Sequence, residues 1–151
     1  MRLFGRRAPD PLGEGVWRRA HDRYRRAVDR VHQVLEGVPA GARRDDLAEV
    51  AAVLAGLVDE VRGLCEQAQA AAPSAGLEVP GGRDGRFLDA HRALSRAATL
   101  AAQSAEAAVL ARVAITAGDD GTAATRVAAA RRAATASGEQ VAVAARLLGP
   151  G

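Results

Sequence analysis

The chain contains no lysine, no asparagine and one cysteine, and its aromatic, methionine and isoleucine residues together number six. The single thiol, Cys65, excludes an internal disulfide and favours a reducing compartment. The missing residue types are mostly those with AT-rich codons, which indicates a GC-rich bacterial genome. We expect a cytoplasmic protein, because the basic N-terminal residues 1–7 are not followed by an apolar segment of signal-peptide length.

Alanine is instead the commonest residue, at 37 of 151 positions. It is the strongest helix former, and arginine, leucine, glutamate and glutamine follow closely. The length fits one domain with a core of its own. The sequence therefore predicts a single all-α domain over residues 1–151, with a flexible basic N-terminus at 1–10 and a Gly/Pro linker at 73–85.

The first half carries two apolar stripes at heptad spacing, separated by the glycine and proline residues at 37–41. Small residues widen each stripe to three positions per heptad, which favours a bundle over a two-stranded coiled coil. The stripe positions are Trp17, His21, Tyr24, Val28, Val31, Leu35 and Val38, then Leu47, Val50, Leu54, Leu57, Val61, Leu64, Ala68 and Ala71. A hairpin centred near residues 42–43 sets Trp17 against Ala68.

The second half predicts a third helix from about Arg86 to Ala117 and a fourth that ends near Leu148, with a turn at Gly118. Both helices carry a column of alanines interrupted by one serine, and such small residues allow two backbones to approach closely. A hairpin centred on Gly118 sets Ala101 against Ala134. We expect an antiparallel up-down-up-down four-helix bundle made of two hairpins, the second of them alanine-rich.

Charge is unevenly distributed along the chain. Residues 1–44 hold 11 arginines against 5 acidic residues, residues 45–82 hold 1 against 7, and residues 83–151 hold 9 against 6. A basic segment followed by an acidic one predicts that the two are neighbours in space. The most apolar window, 97–117, contains Gln103, Glu106 and Arg112, so no transmembrane segment is expected.

Four arginines of the first helix, Arg19, Arg23, Arg26 and Arg30, follow 4-3-4 spacing and form one stripe opposite the apolar face. Such a stripe can bind the phosphates of a nucleic acid or an anionic membrane surface. It can equally be a solvated face. Asp22 and Asp29 lie three or four residues from Arg18, Arg25 and Arg26, a spacing that predicts ordinary intrahelical ion pairs.

The residues that usually carry catalysis or bind metals give no consistent pattern. Asp29-x-x-His32 has ligand spacing, but the Glu-x-x-His pairs of di-metal bundles do not occur. Arg86-x4-His91 resembles the Arg-x(4–6)-His signature of the HEPN ribonuclease-like domains. Arg26-x5-His32 fits as well, and such spacings arise readily by chance because about one residue in seven is arginine. We predict no enzyme, no cofactor and no metal site.

The end of the third helix is apolar on nearly every side, through Val109, Leu110, Val113 and Ile115. A helix that is apolar all round is either buried at the centre of a bundle or presents apolar surface to a partner. The sequence therefore favours a non-catalytic bundle that acts by protein–protein interaction or self-association, with Val109, Leu110 and Val113 as partner surface. The alternative is a binder of nucleic acid or an anionic surface that uses the arginine stripe.

Overall fold

A computed structural model describes residues 8–81 and 84–151, and within these ranges the chain forms α-helices and no β-strand. The helices are α1 (Val16–Glu36), α2 (Ala42–Ala71), α3 (Arg86–Thr116) and α4 (Asp120–Leu148). The predicted all-α class and the four predicted helices are confirmed. The closest pair is α3 with α4, and α1 packs against both α2 and α3.

Glycine and acidic residues set the helix boundaries. The N–H of Gly37 closes the last turn of α1 on the carbonyl of Val34 at 3.1 Å. Between α3 and α4, Gly118 adopts φ +73°, a left-handed conformation that favours glycine. Asp119 then accepts the N–H of Thr122 at 3.1 Å, so its side chain caps the first turn of α4.

The two apolar stripes of the first half face the core. Their members are buried or half-buried with one exception, and Trp17 and Leu54 are fully buried. The prediction was wrong for Ala71, which is exposed. The reason is that α2 ends at this residue, and the chain turns so that Ala72 enters the core instead.

The indole of Trp17 joins the beginning of α1 to the end of α2. Its Nε1 donates to the carbonyl of Ala72 at 2.9 Å, so this buried donor is satisfied. Ala68, the predicted neighbour of Trp17, is also fully buried, and the hydrogen bond lies one turn beyond it. At the other end of these helices, Arg44 donates to the carbonyls of Leu35 and Val38 at 2.6 Å each.

Two serines join α3 to α4 in a reciprocal way. Ser104 Oγ donates to the carbonyl of Ala130 at 2.8 Å, and Ser137 Oγ donates to the carbonyl of Ala97 at 2.8 Å. Two buried hydrogen bonds therefore hold α3 against α4. All four residues are fully buried.

Helices α2 and α4 pack against each other, as do α1 and α3. Arg43, at the beginning of α2, pairs with Asp120 at the beginning of α4, with Nε and Oδ1 2.8 Å apart. Near the opposite ends, Gln67 Nε2 donates to the carbonyls of Leu148 and Gly149 at 3.2 and 2.8 Å. These contacts join α2 to α4 near both ends of the two helices.

The described part of the linker packs on the beginning of α1. Ser74 is buried, and its Oγ accepts the N–H of Val16 at 3.2 Å. Gly15 lies so close to Ser74 that a Cβ at this glycine would be 2.2 Å from the serine Oγ. Residues 1–7, most of the predicted flexible N-terminus, lie outside the described residues, as do residues 82–83 of the linker.

By length and composition alone, α3 is long and apolar enough to cross a membrane, and 44% of its most apolar window is buried. Helix packing gives a direct reason for this apolar character. The buried side of α3 consists mainly of alanines, together with Ser104, Phe87 and Leu94, and α3 packs most closely against α4. The opposite side carries the exposed Glu106.

We predict that Ala101→Leu destabilises the fold, because Ala101 is fully buried between the two serine contacts. Overpacking a core typically costs about 1–3 kcal/mol. The matched control is Ala102→Leu, which adds the same side chain at the adjacent, exposed position. Urea unfolding followed by circular dichroism measures both. Equal midpoints for the two variants would show that the close contact of α3 and α4 lies elsewhere.

Candidate functional site

All four arginines of the stripe are exposed, and Arg19, Arg23 and Arg30 lie along the edge of α1 that faces α3. Arg19 Nη1 donates to the carbonyl of Gly76 at 3.0 Å. Arg23 reaches across to α3, where its Nη1 donates to the carbonyl of Ser95 at 3.3 Å and its Nη2 to Thr99 Oγ1 at 2.7 Å. The stripe therefore borders a groove between α1 and α3, which we call the α1–α3 groove.

No carboxylate in residues 8–81 and 84–151 forms an ion pair with any arginine of the stripe. The predicted pair of Arg18 with Asp22 is present, with Nε and Oδ2 3.6 Å apart. The ion pairs predicted for Asp29 are absent. Neither the Arg25 nor the Arg26 guanidinium lies within 4.0 Å of the Asp29 carboxylate. Arg19, Arg23 and Arg30 turn towards α3 and away from the acidic side of α1.

The equivalent boundary between α2 and α4 is neutralised by ion pairs. Arg131 Nη2 lies 3.3 Å from Glu49 Oε2 and 3.7 Å from Asp46 Oδ1. Asp46 also pairs with Arg43, as does Asp120. The sequence predicted that the basic and acidic segments are neighbours in space, and α1 does pack against α2. In the described residues, the carboxylates of α2 that form ion pairs do so with arginines of α2 and α4.

Two hollows lie along the α1–α3 groove. The first has a volume of about 230 Å³ and is lined by Val16, Arg19, Ala20, Arg23, Leu77, His91 and Ser95. The second has a volume of about 250 Å³ and is lined by Arg30, Glu106, Val109 and Leu110. Each hollow therefore combines apolar side chains with at least one arginine of the stripe.

The predicted partner surface borders the second hollow. Leu110 is 45% exposed and Val113 is 59% exposed, whereas Val109 is half-buried against the core. Ile115 is also half-buried. Both explanations for the apolar end of α3, burial in the core and exposure of apolar surface, therefore apply in part. One side packs on the core, and the side with Leu110 and Val113 faces solvent.

The three histidines have separate environments. His91 is half-buried against Trp17, with ring centroids 5.7 Å apart in an edge arrangement, and its burial lowers the pKa of the imidazole. His21 is buried, and its Nδ1 lies 2.9 Å from Asp22 Oδ1. His32 is exposed. Within the described residues, no group of three His, Cys, Asp or Glu side chains has the geometry to bind a metal ion.

The Arg86-x4-His91 pair makes separate contacts in the structure. The guanidinium of Arg86 lies over the ring of Phe87, 4.7 Å from its centroid. His91 packs on Trp17 instead. Each side chain thus has a packing role of its own.

Sequence reasoning found the arginines and the apolar end, but it missed the residues that join them into one groove. Ser95 and Thr99 lie four residues apart on α3 and receive Arg23. Leu77 comes from the linker and is 80% exposed at the first hollow. The spacing of Ser95 and Thr99 was visible in the sequence, whereas the position of Leu77 depends on how the linker folds.

Comparison of the chain with family models, with curated proteins and with solved structures finds no match in any of the three.

Burial raises the pKa of the Cys65 thiol to about 12, so we predict that it is unreactive in the folded protein at neutral pH. The residue is fully buried. A chromogenic disulfide reagent should label it only as fast as the protein unfolds, and at once in denaturant. Stoichiometric labelling within seconds under native conditions would show an open thiol site.

Proposed function

We propose that this protein is a non-catalytic helical bundle that acts by binding another protein or a second copy of itself. The observation that carries the proposal is the exposure of Leu110 and Val113 on a helix whose remaining large apolar side chains are mostly covered. Isolated apolar side chains on a surface are ordinary. These two lie one turn apart, beside the half-buried Val109 and the second hollow, which supports a contact surface.

We further infer that the helices form the up-down-up-down bundle of two hairpins expected from the sequence. The reciprocal serine contacts support opposite directions for α3 and α4. The contacts of Arg43 and Gln67 support a common direction for α2 and α4. In this arrangement α1 lies beside α3 and α2 beside α4, so the α1–α3 groove runs along one side of the bundle.

A binding role is also supported by the environments of the cysteine, histidine and serine residues, the types that most often act in catalysis. Cys65 and His21 lie in the core, and Ser104 and Ser137 donate to backbone carbonyls. Placement in a bacterial cytoplasm belongs to the same proposal, because a reducing compartment suits a protein with one thiol.

We predict that a photo-reactive residue in place of Leu110 crosslinks to a discrete partner in the native host cell. The same residue at Val53, which is 51% exposed on α2, is the matched control. Sedimentation of the purified protein identifies a crosslink that arises from self-association. Equal crosslinking from positions 110 and 53 would contradict a partner surface at the end of α3.

The second candidate function is binding of nucleic acid or an anionic surface through the arginine stripe. It is favoured by the lack of carboxylate partners for Arg19, Arg23, Arg26 and Arg30 within the described residues. Unneutralised arginines can replace the counterions of phosphates, so such binding must weaken steeply with salt.

Replacing Arg19, Arg26 and Arg30 by glutamine tests this second function while keeping the contacts of Arg23 with α3. If the stripe binds duplex DNA, each lost arginine lowers the salt slope by roughly one unit, whatever the DNA sequence. Anionic vesicles serve as the membrane probe, and circular dichroism checks the fold. Binding that persists unchanged in the triple variant would exclude the stripe as the polyanion site.

A further inference from the structure

The two hollows lie at different levels along the α1–α3 groove. The first is centred near Ala20 and the second near Arg30, so about 15 Å of α1 separates them at ~1.5 Å per residue. Arg23 lines the first hollow and Arg30 lines the second, and Arg26 lies between these two arginines along α1. Each end of the groove therefore presents apolar side chains beside arginine, and a further arginine lies between the two ends.

The positive charges of the arginines in this groove are available to a partner molecule. The corresponding boundary between α2 and α4 pairs Arg131 with Asp46 and Glu49. In the α1–α3 groove, the described contacts of Arg19 and Arg23 are to carbonyl oxygens and a hydroxyl, which leave their charges uncompensated. Complementary charge on a partner would set its orientation and speed its association.

We propose that the α1–α3 groove binds an acidic amphipathic helix of another protein. One apolar side chain of that helix enters each hollow, and acidic side chains between the two face Arg23 and Arg26. Eleven residues make about three full turns and ~16 Å of helix, which matches the separation of the hollows and returns to the same face. The inference rests on the proposed protein-binding function, to which it adds the class of partner.

The groove suits such a helix better than a nucleic acid. Binding of single strands relies on exposed aromatic rings for base stacking, whereas Trp17 and Tyr24 are fully buried. Glu106 in the second hollow would repel phosphate, and Leu110 would remain uncovered by a sugar-phosphate backbone. An amphipathic helix covers apolar side chains at defined positions, as helix-in-groove complexes do.

The probe is a fluorescein-labelled, helix-forming peptide of twenty residues. It carries leucine at its fifth and sixteenth positions and glutamate at its ninth and twelfth, so that all four lie on one face. The control peptide has the same composition, with the two glutamates moved to the opposite face. Fluorescence anisotropy with the full chain measures the affinity for each peptide at several salt concentrations.

The decisive variants are Arg26→Gln and its neighbour Arg25→Gln. Both arginines are exposed and form no ion pair or side-chain hydrogen bond within the described residues, but only Arg26 belongs to the stripe. We expect Arg26→Gln to weaken binding of the probe roughly 3- to 10-fold, and Arg25→Gln to change it less than about 2-fold. Leu110→Ser tests the second hollow, with Val53→Ser as its control.

The expected result is tighter binding of the probe than of the control peptide, weakened by Arg26→Gln and Leu110→Ser alone. The proposal is overturned if neither peptide binds at millimolar protein, if both bind alike, or if the two arginine variants weaken binding equally. It is also overturned if duplex DNA displaces the probe at lower concentration than unlabelled probe does. Crosslinking from position 110 would in those cases still decide the proposed protein-binding function separately.

Discussion

The close approach of α3 and α4 is the contact on which the rest of the structure depends. It requires small side chains along both helices, and alanine is the commonest buried residue of each, with Ser104 and Ser137 among the alanines. The hydroxyl of each serine is buried, and leaving it without a hydrogen-bond partner would cost folding free energy. Each hydroxyl donates a hydrogen bond to a carbonyl of the opposite helix. The serines thus fix the register of a contact that alanines alone would specify weakly.

This contact determines which helices supply the larger side chains of the core. Because α3 and α4 contribute mostly methyl groups, most of the larger core side chains come from α1 and α2, including Trp17, Tyr24 and Leu54. Leu94 and Val141 are fully buried exceptions from α3 and α4. Burial raises the pKa of Tyr24, and the nearby Ser137 hydroxyl partly offsets that rise. The phenol also lies 3.5 Å from the carbonyl of Leu54, so both hairpins surround the same polar atom.

The arrangement of charge follows from which helices become neighbours. Arginines of α2 and α4 meet carboxylates across their shared boundary, and those contacts are satisfied within the chain. Arginines of α1 meet a face of α3 that offers Ser95, Thr99 and a single nearby carboxylate, Glu106. Beside the exposed Leu110 the described residues place Arg30 and Glu106, whereas Arg19 and Arg23 lie at the first hollow.

The sequence alone determined the four helices, and the limits of α3 and α4 to within about one residue, because heptad spacing and glycine act locally. It also identified the arginine stripe and the apolar end of α3. It could not determine that Arg23 crosses to Ser95, that Asp29 forms no ion pair in the described residues, or that Leu77 joins a hollow with His91. Those contacts depend on which hairpin faces pack together, and side chains distant in sequence meet only after that packing is complete.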